Sequence, residues 1–341
     1  MLQPRASSAR TKAVLQNTIR STTNLSTSQH DLTCRLPDGR TLGYAEYGHL
    51  SGFPPIFFHG FPSSRLEASG FERIARRRKL RIISPDRPGF GLSTIQPNRR
   101  ILDWPSDVEA LTAHLGLSRF AVLGGSGGGP YALACAYSLP KEIMSAVGLM
   151  ASAGPWDAGV KDIPWSGWFT YLAATYVPGG FRIVTDGLLG ALRWIVRTEM
   201  VTRRLDKWLE GIQKKEEERG DITTEDRRNK LLKMLFEGFA QGSAGFVLEA
   251  QLLSQPWGFR FEDVGHDNVR IWHGVKDTRA PIGHVRYMAE RLPHCELKEF
   301  DEGHFTMVEH LEEILDGLVP EGADNGEHTG AEWSLPNHRS V

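Results

Sequence analysis

Short apolar runs alternate with longer segments of helical character along most of this 341-residue chain. Such alternation is typical of units in which a helix links two neighbouring parallel strands. It therefore predicts an α/β fold with a mainly parallel sheet and helices on its faces. The predicted strands cover residues 41–47, 55–58, 80–84, 120–123, 147–150, 269–272 and 296–300.

The alternation stops between about residues 155 and 261, where the pattern is helical and predicts no strand. Within this stretch, residues 203–233 are heavily charged, and we interpret them as a solvated helix face with a turn near Gly220. The predicted organisation is an α/β core, a helical insertion that we call the cap, and two loose tails. The core covers 35–154 and 262–318, the cap covers 155–261, and the tails cover 1–34 and 319–341.

The first thirty residues contain four basic side chains and no acidic one, and they are rich in serine and threonine. We interpret this segment as a solvated tail, and the alternative is a mitochondrial transit peptide, which its composition resembles. The chain has three cysteines, too few for a disulfide framework, and this favours a reducing compartment. We therefore expect a cytoplasmic protein, with a mitochondrial location as the alternative.

Charge and hydropathy narrow the partners that we expect. The 40 basic residues nearly balance the 41 acidic ones, so no basic surplus points to nucleic acid. The most apolar segment, residues 165–196, is broken by proline, glycine and charged residues, whereas a membrane span needs about 20 mostly apolar residues. We expect a small-molecule substrate, no nucleic-acid partner and no stable membrane insertion.

The residues most indicative of chemistry are Gly-Gly-Ser-Gly-Gly at 124–128, between a predicted strand and a predicted helix. A serine in a sharp strand-to-helix turn presents its hydroxyl clear of the backbone, and neighbouring glycines let the helix pack closely. The alternative is a glycine-rich nucleotide loop, but this one has no phosphate-binding lysine and does not follow the first strand. The pattern therefore favours Ser126 as a nucleophile.

A serine nucleophile needs a base, and the base needs an acid that orients it. His304 follows the last predicted strand and Asp277 follows the strand before it, so both lie at the carboxyl edge of the sheet with Ser126. The chain order serine, acid, histidine is that of one known arrangement of such triads. Asp157 is the main alternative acid, and the other competing residues are His273, His284, His310, Asp301 and Glu302.

An oxyanion formed during attack by Ser126 needs two hydrogen-bond donors. The amide after the nucleophile, that of Gly127, is one candidate. The second is expected in the loop after an early strand, where His-Gly-Phe-Pro occupies 59–62. Phe61 is the expected donor because Pro62 has no N–H.

Taken together, these motifs resemble the α/β-hydrolase superfamily over roughly residues 35–318. The motifs are HGFP at 59–62, DRPGFGLS at 86–93, GGSGGGP at 124–130, HGVKDTRAP at 273–281 and EGH at 302–304. The resemblance implies an eight-stranded sheet, a cap domain at the insertion and a triad of Ser126, Asp277 and His304. It also implies a structural role for Asp86 and Arg87.

Two motifs of the chain differ from those of other branches of this superfamily, which disfavours those branches. HG-x-P differs from the HGGG form of hormone-sensitive-lipase-like enzymes. Serine at the turn differs from the aspartate of epoxide hydrolases and haloalkane dehalogenases. The sequence is therefore closest in kind to capped serine hydrolases.

The resulting hypothesis is cleavage of an ester, lactone or thioester of a medium-sized apolar substrate, without metal or organic cofactor. The alternatives are carbon–carbon bond hydrolysis, cyclisation or acyl transfer by the same triad, and a hydrolase-like receptor with negligible turnover. Aromatic residues of the cap are candidates for the substrate pocket, with packing between cap and core as the alternative. They are Trp165, Trp168, Phe169, Tyr171 and Tyr176.

Overall fold

An eight-stranded, mainly parallel sheet organises the fold, as the sequence predicted. The computed structural model describes residues 29–213 and 223–320. The strands are β1 Leu32–Arg35, β2 Thr41–Gly48, β3 Pro55–Phe58, β4 Arg81–Pro85, β5 Phe120–Gly125, β6 Met144–Met150, β7 Val269–Gly274 and β8 Cys295–Phe300. Their order is β1-β2-β4-β3-β5-β6-β7-β8. Strand β2 runs antiparallel to its neighbours, and all pairs from β4 to β8 are parallel.

Ten α-helices accompany the strands within the described residues. They are α1 Glu72–Arg77, α2 Trp104–Leu115, α3 Gly129–Ser138, α4 Trp165–Tyr176, α5 Pro178–Ile195, α6 Glu199–Gln213, α7 Thr224–Glu237, α8 Ala244–Leu253, α9 Ile282–Ala289 and α10 Leu311–Asp316. Across those same parts of the chain, none is both long enough and apolar enough to cross a bilayer.

Strand β5 lies in the middle of the sheet and is buried on both faces. Its side chains alternate between the two apolar layers, since Val122 packs in one and Leu123 in the other. Burial on both faces explains the uninterrupted apolar run that made this strand easy to predict. It also fixes the position of the turn that follows, which carries Ser126.

Strand β1 was not predicted, and three of its four residues lie in the segment expected to be a tail. It pairs antiparallel with β2 at the edge of the sheet, and only Cys34 among its residues is buried. A four-residue edge strand with one buried side chain leaves no periodic signal in the sequence. The chain is also still packed at Leu318 and Val319, both of which are buried against the second apolar layer.

Five helices, α4 to α8, fill the described part of the chain between β6 and β7. Their own apolar core is small, consisting of Ala174, Val247 and Ala250 with three phenylalanines packed against them. The division into core and cap at residues 155 and 261 remains our prediction. The interpretation of residues near Gly220 as a turn, like that of residues 1–28 and 321–341 as tails, concerns residues outside the described part.

Candidate active site

Ser126 occupies a strained turn immediately after β5. Its φ is +50°, in the left-handed region that a residue with a side chain seldom adopts. The neighbouring glycines are required by close packing: a Cβ on Gly124 would lie 2.5 Å from the Gly128 carbonyl oxygen, and one on Gly128 would lie 2.1 Å from that of Phe58. The glycines thus allow α3 to start directly behind the serine, at the carboxyl edge of the sheet.

A chain of two hydrogen bonds joins Ser126 to an imidazole and a carboxylate. His304 Nε2 lies 3.0 Å from Ser126 Oγ, and His304 Nδ1 lies 2.6 Å from Asp277 Oδ2. With the proton on Nδ1, the imidazole donates to Asp277 and accepts from the serine hydroxyl. The structure therefore brings together the three side chains that the sequence singled out, although they lie far apart in the chain.

Asp277 is held as an ionised, oriented acceptor. Its Oδ1 accepts hydrogen bonds from the amides of Arg279 and Ala280, at 2.8 and 2.9 Å. Burial acts to raise the pKa of the Asp277 carboxyl, but the hydrogen bonds from His304 and from these amides hold that pKa below its ordinary value. A carboxylate that stays ionised can stabilise a positive charge on His304.

Two of the competing residues, Asp157 and His273, do not take the places of Asp277 and His304. Asp157, the alternative acid, is exposed in the short turn Trp156–Ala158, whereas Asp277 contacts His304. His273 is buried, and its Nε2 lies 2.8 Å from the Ala280 carbonyl oxygen, to which it donates. Desolvation lowers the pKa of His273, so this imidazole stays neutral behind Asp277.

The two expected oxyanion donors are neighbours beside Ser126. A Cβ on Gly127 would lie 2.7 Å from Phe61 Cβ and 3.2 Å from the Phe61 amide nitrogen. No residue in the described part of the chain accepts a hydrogen bond from the Phe61 amide. Both residues line the cavity into which the Ser126 hydroxyl opens. The Phe61 amide nitrogen and the Gly127 backbone are therefore close neighbours at this cavity.

The peptide group that carries the Phe61 N–H is fixed from behind. Its carbonyl oxygen, that of Gly60, lies 2.8 Å from His59 Nδ1 and accepts from Arg87 Nη2 at 3.0 Å. The Gly60 amide donates to Glu67 Oε2 at 2.9 Å. Because C=O and N–H point in opposite directions across a trans peptide, holding the carbonyl orients the Phe61 N–H.

Arg87 is in turn held by a carboxylate from the cap. Glu249 of α8 accepts from Arg87 Nε at 2.7 Å and from the Tyr131 hydroxyl at 2.7 Å, and it also pairs with Arg99. All four side chains are buried. Burial acts to raise the pKa of Glu249, but the two guanidinium groups hold that pKa below its ordinary value. This ion network joins the cap to the loop that carries Phe61.

The cavity above Ser126 has a volume of about 690 Å³. Its walls come from the Phe61 loop, from α4 and α8 of the cap, and from the His304 loop. Most of the lining is apolar, with Leu253 and Phe305 among its residues, and α4 contributes Ser166, Gly167 and Thr170. A cavity of this size and polarity suits a small organic molecule.

The aromatic residues that we expected in the pocket do not line it. Trp168 and Tyr171 pack on Trp156, with ring centroids 5.2 and 4.8 Å away, and Trp156 itself reaches the cavity. The other three, Trp165, Phe169 and Tyr176, are exposed on the opposite side of α4. The helical repeat explains the correction, since α4 presents Ser166, Gly167 and Thr170 to the cavity instead.

Sequence reasoning also missed two acidic residues. Glu67 lines the cavity near Ser126, and desolvation raises the pKa of its carboxyl. Glu249 lies in a mostly apolar helix, AGFVLEAQLL, where a single carboxylate was a visible signal of a buried pair. Among the residues that the structure describes, no group of three or more histidine, cysteine or acidic side chains is arranged to hold a metal ion.

Comparison with known proteins agrees with this architecture. Residues 56–311, three quarters of the chain, match the family of proteins with the α/β hydrolase fold. The chain therefore belongs to the α/β hydrolase fold family, as its motifs predicted. Solved structures support the fold. An esterase from Thermogutta terrifontis, 21% identical, aligns with a TM-score of 0.52 over 84% of this chain and 94% of that chain.

The curated relatives are diverse in activity. "Lipase 1" of Psychrobacter immobilis is 35% identical over 132 residues, which are 37% of this chain and 39% of the relative. A proline iminopeptidase of Arabidopsis thaliana is 25% identical over 300 residues, which are 79% of this chain and 73% of the relative. The match to the lipase thus spans less than half of that protein. Both relatives are similar to this chain, but one is named as a lipase and the other as a peptidase.

Proposed function

We propose that this protein is a serine hydrolase that cleaves an ester, lactone or thioester of a medium-sized apolar substrate through an acyl-enzyme. The observation that carries the proposal is the hydrogen-bonded chain from Ser126 through His304 to Asp277, which opens into an apolar cavity. The position of two amides beside the serine supports acyl transfer in particular, because that reaction develops charge on a carbonyl oxygen.

The reaction follows from these contacts. His304 Nε2 takes the hydroxyl proton while Ser126 Oγ bonds to the substrate carbonyl carbon, and the Phe61 and Gly127 amides hold the oxyanion. Asp277 stabilises the imidazolium that forms. When the oxyanion collapses, the bond to the leaving group breaks and the imidazolium protonates that group. Water, deprotonated by His304, then attacks the acyl-serine and releases the acid and Ser126.

The substrate class rests on the cavity. Its lining offers apolar surface to an acyl chain and few fixed charges apart from Glu67 and Arg279. The relatives named for lipase and proline iminopeptidase activity suggest carboxylic esters first and amides second. The peptidase likeness makes an amino-terminal proline amide the comparison substrate.

The test is a substrate panel of p-nitrophenyl esters of increasing acyl length, lactones, one acyl thioester and proline p-nitroanilide. We expect saturable hydrolysis of the medium-length esters, with a rapid release of one equivalent of p-nitrophenol that reports the acyl-enzyme. Ser126→Ala is the control and should show neither the rapid release of p-nitrophenol nor the saturable hydrolysis.

Three other outcomes separate the alternatives. Turnover of proline p-nitroanilide alone would assign the site to a peptidase. Transfer of the acyl group to an added alcohol without release of free acid would assign an acyltransferase. Saturable binding of esters by folded protein without turnover would replace the hydrolase by a ligand-binding receptor.

A further inference from the structure

Two charged side chains of helix α5 bond to the rest of the cap. Asp186 accepts a hydrogen bond from the Ser243 amide at 2.8 Å, and Arg193 donates to the Phe239 carbonyl oxygen at 2.8 Å. A helix on a globular core ordinarily buries its apolar stripe and exposes its charges. In α5 charged side chains make these inward contacts, which leaves the apolar side without cover from the described residues.

The outward half of α5 is apolar throughout. At 3.6 residues per turn, all of its large exposed side chains fall on one half of the helix, and the charged residues fall on the other. Ile183 is 73% exposed and Trp194 is 70% exposed. The remaining exposed apolar residues of this half are Val184, Leu188, Leu192 and Ile195.

The apolar surface continues on α4. Trp165, Phe169, Leu172 and Tyr176 recur at helical spacing and are all exposed. Phe169 lies against Phe181 of α5, with ring centroids 6.3 Å apart, so the two helices present one continuous surface. We call it the outer apolar face. On a protein in aqueous solution, a large exposed apolar patch marks an interaction site.

A basic cleft of about 460 Å³ adjoins this face at the end of α5. Its lining contains Arg193, Arg197, Arg228 and Lys233 and no carboxylate. Arg228 and Lys233 also pair with acidic groups outside the lining. Arg193 lies on the inward half of α5, whereas Arg197 is exposed three residues after Trp194, so positive charge borders the edge of the apolar surface.

We propose that the outer apolar face and the basic cleft together dock the protein on the surface of a bilayer that contains anionic phospholipids. The apolar side chains of α4 and α5 enter the boundary between headgroups and acyl chains, and the cleft receives a lipid phosphate. Aliphatic residues with tryptophan and tyrosine beside basic residues are the composition that binds this boundary.

The charge of the basic cleft favours a bilayer over a second copy of the chain as the partner that covers this surface. A two-fold dimer pairs the same patch on both copies. A dimer whose two-fold axis passed near the C-terminal end of α5 would bring two basic clefts together, and like charges placed opposite each other oppose association. An anionic surface instead gains from each cation, by about 1 kcal/mol for a basic residue near the membrane.

The same arrangement places the cavity close to the docked surface. Helix α4 has Ser166, Gly167 and Thr170 on the cavity side and the outer apolar face on the other. Phe305, which is 73% exposed, also lines the cavity. One helix thus separates the apolar surface from the cavity above Ser126.

The test is flotation of the full-length protein with vesicles of phosphatidylcholine alone or with 30 mol% phosphatidylserine. We expect binding to the anionic vesicles, little binding to the neutral ones, and release as sodium chloride is raised. Ile183→Ser/Leu188→Ser should weaken binding about a hundredfold, because two apolar side chains no longer enter the boundary. Arg197→Glu should weaken it about tenfold.

Matched controls keep the result interpretable. Leu50→Ser changes a leucine on the core that is 53% exposed and should bind like the wild type. Circular dichroism verifies that each variant is folded. Ser126→Ala should also bind normally, so failure of docking is distinct from failure of the proposed hydrolase activity. Flotation that Leu50→Ser reduces as much as the cap variants do would overturn the proposal. So would the absence of flotation, or a dimer in solution that Ile183→Ser/Leu188→Ser converts to monomers.

Discussion

Charged side chains are usually exposed and large apolar side chains are usually buried. The carboxyl edge of the sheet and the outer apolar face of the cap depart from this placement in opposite ways. Around the sheet edge, charged groups such as Asp277 and, from the cap, Glu249 are buried, and each has several hydrogen-bond partners. On the outer face, large apolar side chains such as Trp165 and Ile183 are exposed. The first arrangement resists change because an unpaired buried charge is costly.

This difference separates two sources of function. Groups at the sheet edge are positioned by the fold before any ligand arrives, as catalysis by acyl transfer requires. The large side chains of the outer face are exposed, so they add little to the packing of the folded chain. Substitutions should therefore affect rate and stability strongly at the sheet edge and weakly on the outer face.

The largest effect is expected for Asp277→Asn. The asparagine no longer favours the proton on His304 Nδ1, so Nε2 ceases to be a good acceptor for the Ser126 hydroxyl. We expect kcat for ester hydrolysis to fall about 10⁴-fold. Asp301→Asn, at an exposed acid paired with Lys276, is the matched control and should keep its activity. Equal rates for both variants would show that Asp277 does not serve Ser126.

Glu249→Gln should cost the most stability. Two guanidinium groups, of Arg87 and Arg99, lose the buried carboxylate that neutralises them, and breaking a buried pair in this way costs about 3–5 kcal/mol. Urea denaturation measures the loss in the free energy of unfolding. The exposed Glu210→Gln should change that free energy by less than about 0.5 kcal/mol. A small cost at Glu249 would mean that the network does not join cap and core.

Gly127→Ala tests the oxyanion donors. The added Cβ would lie 2.7 Å from Phe61 Cβ, so one of the two amides must move. Losing one donor lowers kcat by about 10²- to 10³-fold, and we expect KM to change little. Gly190→Ala, on α5 with nothing within 4 Å, is the control that should match the wild type. Unchanged kcat in Gly127→Ala would remove this glycine from the proposed reaction.

The smallest effect is expected on the outer face. Ile183→Ala should change the free energy of unfolding by about 0.5 kcal/mol or less, because the side chain is exposed. The same substitution at the fully buried Ile271 of β7 should cost about 2–5 kcal/mol. Similar costs in urea denaturation would mean that the outer face is already covered in solution.

The sheet and the three site side chains were accessible to sequence reasoning for a common reason. Parallel strands buried on both faces leave apolar runs, and the residues at their carboxyl ends must meet at one edge. Ser126 and Asp277 follow such runs, and His304 follows the partly exposed edge strand β8, so their proximity was predicted from the order of motifs.

The remainder depended on three-dimensional packing. The partners of Glu249 come from three separate segments, and no local pattern connects them. The direction of each face of α4 was also hidden, because both Trp165 and Trp168 fit a helix and only packing decides which is exposed. The aromatic residues therefore suggested a pocket, whereas the cavity is lined by their smaller neighbours.

Reaction with a fluorophosphonate, followed by peptide mass mapping, tests the activated serine most directly. We predict one covalent adduct per chain, located on Ser126, with labelling abolished in Ser126→Ala and strongly reduced in His304→Ala. Absence of an adduct in folded wild-type protein, or an adduct on another residue, would contradict the proposed hydrolase mechanism.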